Sequence, residues 1–394
     1  MNTSANAIPY WRLSAFYAFY FSIVGALIPY LGLYLQSLQY SAKEIGFIAA
    51  ILMATKIVAP SLWGWLGDAT GKRLGVIRLG CLLAAVSFAG IYVDQRFFWL
   101  AWVFGFYTFF WNAVLPQFEV ITLDHLGDKP QHYSKVRVWG SLGFVSVVMG
   151  LGWMFDFIDI AYLPHIVLGF SVLVYLSSLT IKEAVHRELE HTPLGFREIL
   201  RKPAVYSFLI ASFLLQVSHG PYYAFYSLYL ESYGYSRTSI GVLWALGAIA
   251  EVGIFLIMHR LMPRVGMMPL FIGSMAITTG RWFLIACFPE SVPIIIFAQT
   301  LHAFSFGCAH AVAIEWARRY FPGRHQGQGQ AIHISVSFGV GGALGAVVAG
   351  FMWEDSPVMT FAFSSFMAAL ALLVAWWGSR EPSPELDLQS RNVP

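Results

Sequence analysis

Charge is what this sequence has least of. Only 11% of its 394 residues are Asp, Glu, Lys or Arg, against about a quarter in an average soluble domain. With 58% of its positions hydrophobic, such a chain cannot cover a water-facing surface, which excludes an ordinary soluble globule. Cysteine is scarce too. Cys81, Cys287 and Cys308 lie in apolar blocks without Cys-x-x-Cys or Cys/His ligand spacing, so neither a disulfide framework nor a metal site is indicated. No basic n-region or small-residue cleavage pattern precedes the first apolar block, which therefore reads as a retained helix. No loop holds a His/Asp/Glu cluster, a phosphate cradle or an activated nucleophile, so an enzyme is not expected. Neither a cofactor nor a nucleic-acid partner is expected.

Long apolar blocks are what the sequence has in abundance. They run about 20 residues, the length of helix that crosses a hydrocarbon core of about 30 Å. The pattern predicts twelve spans, near 10–35, 45–66, 74–93, 97–123, 136–156, 160–180, 204–230, 239–259, 267–287, 292–318, 329–351 and 357–378. The fold class expected is all-α integral membrane, with twelve transmembrane helices in two six-helix bundles around a central cavity. Domain bounds follow: 1–180 and 204–378 for the bundles, 181–203 for a charged linker and 379–394 for a polar tail. Connections after even-numbered helices carry Lys72, Arg73, Lys129, Lys135, Lys182, Arg260, Arg264, Arg318 and Arg319, whereas the others carry only Lys43, Arg96 and Arg237. The positive-inside rule then puts both termini in the cytoplasm. A multi-pass protein of a bacterial inner membrane is the expected setting.

Inside these blocks the few ionisable residues stand out: Lys56, Glu119, Arg137, His219, Glu251, Arg281, His302, His310 and His333. Each costs about 2.5–3.5 kcal/mol to insert even on a lenient scale, so a buried charge defaults to a functional hypothesis. At about 1.5 Å per residue, Lys56 and His302 fall near the midplane. Glu251 falls slightly to the cytoplasmic side, Arg281 to the outer side, and Glu119 and Arg137 in the cytoplasmic third. Static alternatives stand beside these readings: a helix-end salt bridge for Glu119 and Arg137, a polar clamp for Glu251 and Arg281, and carbonyl bonds for His310 and His333. Pro29, Pro60, Pro116 and Pro221 fall inside helices, where they permit kinks.

The turn after the second helix, Gly64-Trp-Leu-Gly67-Asp68-Ala-Thr-Gly71-Lys72-Arg73, resembles the Gly-x-Leu-Gly-Asp-x-x-Gly-Lys-Arg signature of the major facilitator superfamily. That resemblance implies a conformational latch at Gly64, Asp68, Gly71, Lys72 and Arg73. The set Glu119, Arg137, Glu251, Arg281 and Thr300-Leu301-His302 resembles the lactose permease-like branch, the oligosaccharide:proton symporters. The resemblance implies substrate binding by Glu119 and Arg137 and coupling around Glu251, Arg281 and His302. The chain departs from that branch in ways that count against a sugar. The proton-bearing carboxylate position is Ser305, a helix 7–helix 10 ion pair is replaced by His219 and Gln299, the sugar-stacking Trp is Phe144, and an Asn is Ile254.

Tyr133-Ser-Lys-Val-Arg137-Val-Trp139-Gly140-Ser141, His219-Gly-Pro-Tyr222-Tyr223-Ala-Phe225 and Gly241-Val-Leu-Trp244-Ala-Leu-Gly247-Ala-Ile-Ala-Glu251 are similar to the phenylpropionate permease group of the same branch. That group also has a base where this chain has Lys56. An uncompensated midplane cation makes sense if the substrate brings the anion, although snorkelling of Lys56 is the alternative. Phe144, Tyr222, Tyr223 and Tyr226 offer an aromatic wall. The expectation is a proton-coupled symporter of an aromatic or small organic carboxylate. Lys56, Arg137 and Arg281 supply positive charge, and Glu251, His302 and Glu119 are the proton candidates. A sugar or nucleoside cargo, or export, is the alternative. Partners are a small solute, protons and the bilayer, with a monomer as the working unit.

Overall fold

A computed structural model describes residues 8–127, 129, 132–183, 196–321 and 325–380, and among these it contains helices and no strand. Asp128 in the hairpin turn, residues 184–195 of the expected linker and the tail from 381 lie outside the described residues. The spanning helices are α1 (Tyr10–Ser37), α2 (Ala42–Thr70), α3 (Arg73–Tyr92), α4 (Phe97–Leu126), α5 (Tyr133–Phe155), α6 (Ile160–Leu179), α7 (Pro203–Ser232), α8 (Arg237–Val265), α9 (Met267–Cys287), α10 (Val292–Tyr320), α11 (Gln326–Trp353) and α12 (Pro357–Gly378). Eleven of these are long and apolar enough to cross a membrane by length and composition. The exception is α7, whose buried face carries Ser207, Ser212, Gln216, Ser218 and His219. Helices buried among neighbours can carry polar side chains that a lipid-facing helix cannot.

Proline acts in two ways. Pro29, Pro116 and Pro221 lie within continuous helices, as does Pro263, since α8 runs on past the expected end of its span at 259. Pro60 sits instead in the first turn of the second segment of α2, just after a 3-10 stretch at Thr55–Ile57. A first turn tolerates proline because its N–H has no helical acceptor. Lys56 therefore sits on a break in α2.

The chain divides into two compact units. The first comprises Met1–Ser41, Val58–Glu188 and Tyr235–Ala245. In it α1 runs against α5 through glycine. A Cβ on Gly25 would lie 2.8 Å from the Phe144 carbonyl, and one on Gly143 would strike the Ala18 carbonyl. The Tyr30 hydroxyl donates to the Val148 carbonyl at 2.6 Å. Stacked rings fill the space behind, Phe16 on Phe118 at 3.6 Å and Tyr20 on Trp111 at 3.9 Å. Asp156, just past α5, accepts the Arg237 and Thr238 amides at 2.8 and 3.1 Å, satisfying donors that the start of α8 leaves open.

The second unit comprises Ala42–Ile57, Leu189–Gly234 and Leu246–Pro394. Here Phe208 lies between Phe271 at 4.4 Å and Trp316 at 4.5 Å. Close approach again rests on glycine, with Gly220 of α7 against the Gly345 backbone of α11 and Gly46 of α2 against Gly350. Adding side-chain atoms where two backbones touch forces the helices apart, at about 1–3 kcal/mol or more. Gly220→Val is thus expected to lower the unfolding temperature in detergent by several degrees. Gly280→Ala, where a Cβ meets nothing within 4 Å, is expected to leave it unchanged or raise it. Thermal unfolding of the two purified variants checks this.

Candidate functional site

Arg281 is committed to the interior by its position in the helix. The buried residues of α9 include Leu270, Phe271, Ser274, Met275, Thr278, Arg281, Trp282 and Ile285, a stripe of three- and four-residue steps. The guanidinium is fully buried. Its Nε donates to the Ala298 carbonyl at 3.1 Å, Nη1 to Ser305 Oγ at 2.9 Å and Nη2 to Gln299 Oε1 at 2.8 Å. The faces of Tyr222 and Trp282 lie 4.6 and 4.3 Å away. Charged hydrogen bonds contribute about 1.5–3 kcal/mol each and desolvated cation–π contacts about 2. Together they offset a desolvation penalty of several kcal/mol. A buried cation is stabilised here by neutral oxygens and rings, with no carboxylate in ion-pair contact among the described residues.

Glu251 pairs with His302 instead. His302 Nε2 is 2.6 Å from Glu251 Oε1, a separation that requires a hydrogen between the two atoms. The other imidazole nitrogen is 3.5 Å from Ser305 Oγ, the hydroxyl that also accepts from Arg281. One short chain thus links Arg281, Ser305, His302 and Glu251. Gly247 keeps α8 close, since a Cβ there would stand 3.2 Å from the His302 ring. The static clamp of Glu251 with Arg281 is absent among the described residues. His219, on α7, bonds through Nδ1 to the Leu215 carbonyl at 2.8 Å and lies edge-on to Trp282.

Lys56, also in the second unit, has softer company. Its ammonium is 3.4 Å from the Met53 sulfur and 5.8 Å from the centroid of Phe338, with no ion pair to a described acid. Ser335 Oγ donates to the Ile57 carbonyl at 3.2 Å, which ties the break in α2 to α11.

In the first unit Glu119 and Arg137 lie near each other without forming an ion pair among the described residues. Glu119 accepts from the Tyr133 hydroxyl at 3.2 Å. Arg137 stacks over Phe21 at 3.9 Å and faces Tyr17 at 5.6 Å. A helix-end salt bridge does not describe them. Phe144 is half-buried on α5 beside Gly25 of α1. In the turn motif, Gly71 adopts φ +64° and closes the second segment of α2, a conformation that glycine adopts without steric cost. Arg73 pairs with Asp68 and donates to Gln117 Oε1 at 2.9 Å, while Gly64 and Gly67 leave room for the Gln117 amide. Lys72 is exposed.

Sequence reasoning did not single out Phe21 or Gln117, nor the bond of Tyr133 to Glu119, nor the roles of Ser305 and Gln299 as acceptors for Arg281. A sequence signal existed for the last two, because both replace charged groups beside an Arg that stays.

Helices with isolated charges in apolar spans fit the class of membrane permeases, and the family and relatives make this chain a transporter rather than an enzyme. Residues 10–363 match the MFS_1 like family, and the chain belongs to it. A maltose permease of Geobacillus stearothermophilus is 29% identical over 390 residues, covering 92% of this chain and 94% of the relative. A protein named "Probable 3-phenylpropionic acid transporter" from Escherichia coli (strain K12) is 28% identical over 363 residues, covering 87% and 91%. The crystal structure of a mutant of the nucleoside transporter NupG superposes with a TM-score of 0.82 at 16% identity, covering 94% of this chain and 98% of that one. That last likeness concerns the fold alone.

Ser305 is the keystone that geometry adds. Ser305→Ala leaves a buried guanidinium N–H without its acceptor, a loss of about 1–3 kcal/mol. Ser305→Thr keeps the hydroxyl. Thermal unfolding is expected to show a clear drop for the alanine variant and a smaller one for threonine.

Proposed function

We propose that the protein is a proton-coupled symporter that imports an aromatic or small organic carboxylate, of the 3-phenylpropionate kind, by alternating access across a bacterial inner membrane, both termini being cytoplasmic. The observation that carries this reading is the positive charge set inside the spans, Arg281 buried and Lys56 and Arg137 half-buried. Lys56 and Arg281 have no carboxylate in contact among the described residues, and Arg137 stacks on Phe21, near Glu119 without an ion pair to it. A carboxylate substrate supplies the missing negative charge, and its ring finds Tyr222 or Phe144. Lys56, Glu119, Arg137, Phe144, Tyr222, Glu251, Arg281 and His302 are assigned to substrate binding. The proton is assigned to the Glu251–His302 pair, with Glu119 as a further candidate. Gly64, Asp68, Gly71, Lys72 and Arg73 are assigned to a conformational latch.

The named relative in Escherichia coli supports an aromatic acid and the named maltose permease supports a sugar, at nearly equal identity. The site residues favour the acid. A sugar needs several hydrogen-bonding partners, and at Ser305 and Ile254 the chain lacks charged or amide groups of the sugar-transporting branch. Sugar or nucleoside symport, or proton-driven export, remains the second reading.

Uptake into proteoliposomes tests the choice. An inward proton gradient is expected to drive labelled 3-phenylpropionate above its outside concentration and to leave maltose unaffected. Glu251→Gln is expected to abolish that accumulation by at least about tenfold. Accumulation of maltose without the acid sinks the reading, and full accumulation by Glu251→Gln removes Glu251 as an obligatory carrier.

A further inference from the structure

Two irregular turns of the second unit border the same space. α10 widens into a π-helix over Ala303–Cys308 and α11 over Ser335–Gly341. π turns are uncommon and occur often at functional sites. A cavity of about 10 Å³ is lined there by Ser212 and Gln216 of α7, Ser305 and His310 of α10, and His333 and Phe338 of α11. Such a space admits about one water. Ser212 is only 2% exposed, and its hydroxyl has no hydrogen-bond partner among the described residues. An unmet buried hydroxyl costs about 1–3 kcal/mol, so a bound water is the economical occupant.

The cavity touches the site already described at one residue. Ser305 lines it and also accepts from Arg281 and lies 3.5 Å from His302 Nδ1. On the other side, His333 Nδ1 is 3.3 Å from Ser337 Oγ. Phe306 stacks on both His302 and His310, at 5.6 and 5.9 Å. Among the described residues, the charged and titratable groups that meet its lining are Lys56 from α2, whose ammonium lies over Phe338, and Arg281 from α9 and His302 from α10, which meet Ser305. His302 in turn meets Glu251 from α8 and has the His219 ring of α7 at 6.5 Å.

We propose that this cavity is a second proton-binding site, in which a water joins Ser305 to the imidazoles of His333 and His310. The inference rests on the proton-coupled reading above. It gives the proton a resting place beyond Ser305, which cannot hold one itself. A charged His302 releases its Nδ1 hydrogen to Ser305 Oγ as the Ser305 hydroxyl hydrogen passes to the water. The water passes a hydrogen to an imidazole nitrogen. Three bonds to hydrogen form as three break, and one positive charge moves from His302 to the cavity. Because Lys56 and Arg281 flank the route, a carboxylate brought to them lowers the electrostatic cost of a proton nearby. Anion and proton uptake become linked without a carboxylate at position 305.

The test uses full-length protein labelled with ¹⁵N-histidine in nanodiscs, with His310→Asn and His333→Asn to assign the ring signals. At least one of the two imidazoles is expected to protonate reversibly within the range in which histidine ordinarily switches, about pH 5–8, when 3-phenylpropionate is present or as pH falls without it. If both rings stay neutral down to about pH 4 under both conditions, the site is overturned. In proteoliposomes the double variant is expected to lose proton-driven accumulation by at least about tenfold while exchange of labelled for unlabelled 3-phenylpropionate falls by much less. His333→Gln, which retains polar bonding, separates loss of the proton from loss of packing. Equal loss of accumulation and exchange in all variants also overturns the proposal. A wild-type protein that neither accumulates nor exchanges the acid overturns the transport reading, and the ring signals then still decide the site.

Discussion

A guanidinium held in the interior of a membrane helix bundle by neutral groups is the constraint on which the second unit is organised. Arg281 has no escape to solvent, because it lies on the buried stripe of α9. Its donors must therefore find acceptors locally, and the sequence around α10 provides three: a main-chain carbonyl at Ala298, an amide at Gln299 and a hydroxyl at Ser305. Two aromatic faces complete the shell. Had an acid occupied position 299 or 305, the cation would be neutralised within the protein. Neither position carries one, and Glu251 pairs with His302, so the charge of Arg281 is not cancelled by a contacting carboxylate among the described residues. Lys56 repeats the theme at the break in α2, with sulfur and an aromatic ring for neighbours.

The first unit shows the same economy with different parts. Glu119 and Arg137 sit on the two arms of the α4–α5 hairpin, but their partners are Tyr133 and Phe21. A tyrosine hydroxyl beside a carboxylate and an aromatic face beside a guanidinium can each stabilise a charge without cancelling it. This is the arrangement expected where a ligand supplies the counter-charge, and a salt bridge that satisfied both groups would have to be broken before anything could bind.

Much of this was legible in the sequence because membranes enforce simple rules. Helix length follows from bilayer thickness, and eleven of the twelve expected spans carry the apolar composition that made them visible. The same rules made Lys56, Glu119, Arg137, Glu251, Arg281 and His302 conspicuous as rare charges in long apolar runs. Who pairs with whom was not legible. Glu251 had Arg281 and His302 as candidate partners, and only the rotation of α8, α9 and α10 about their axes selects between them. Serine and glutamine carry no signal of their own in a membrane helix, since either can bond back to its own backbone. Ser305 and Gln299 were noticed as replacements for charged groups, yet their joint role toward Arg281 needed coordinates. The two π turns were invisible for a related reason: an extra residue per turn changes geometry without changing composition. The expected span ends at 259 because Arg260 and Pro263 break the apolar run, whereas α8 continues to Val265.

Calorimetry with matched ligands tests most directly whether uncancelled positive charge selects the substrate. Titration of the detergent-solubilised protein with 3-phenylpropionate and with 3-phenylpropionamide compares an anion with a neutral ligand of nearly the same shape. The account predicts that the carboxylate binds at least about tenfold tighter, a difference of about 1.4 kcal/mol, and that Lys56→Met erases most of that preference. Equal affinity for the acid and the amide, or an unchanged preference in Lys56→Met together with Arg281→Gln, would contradict it.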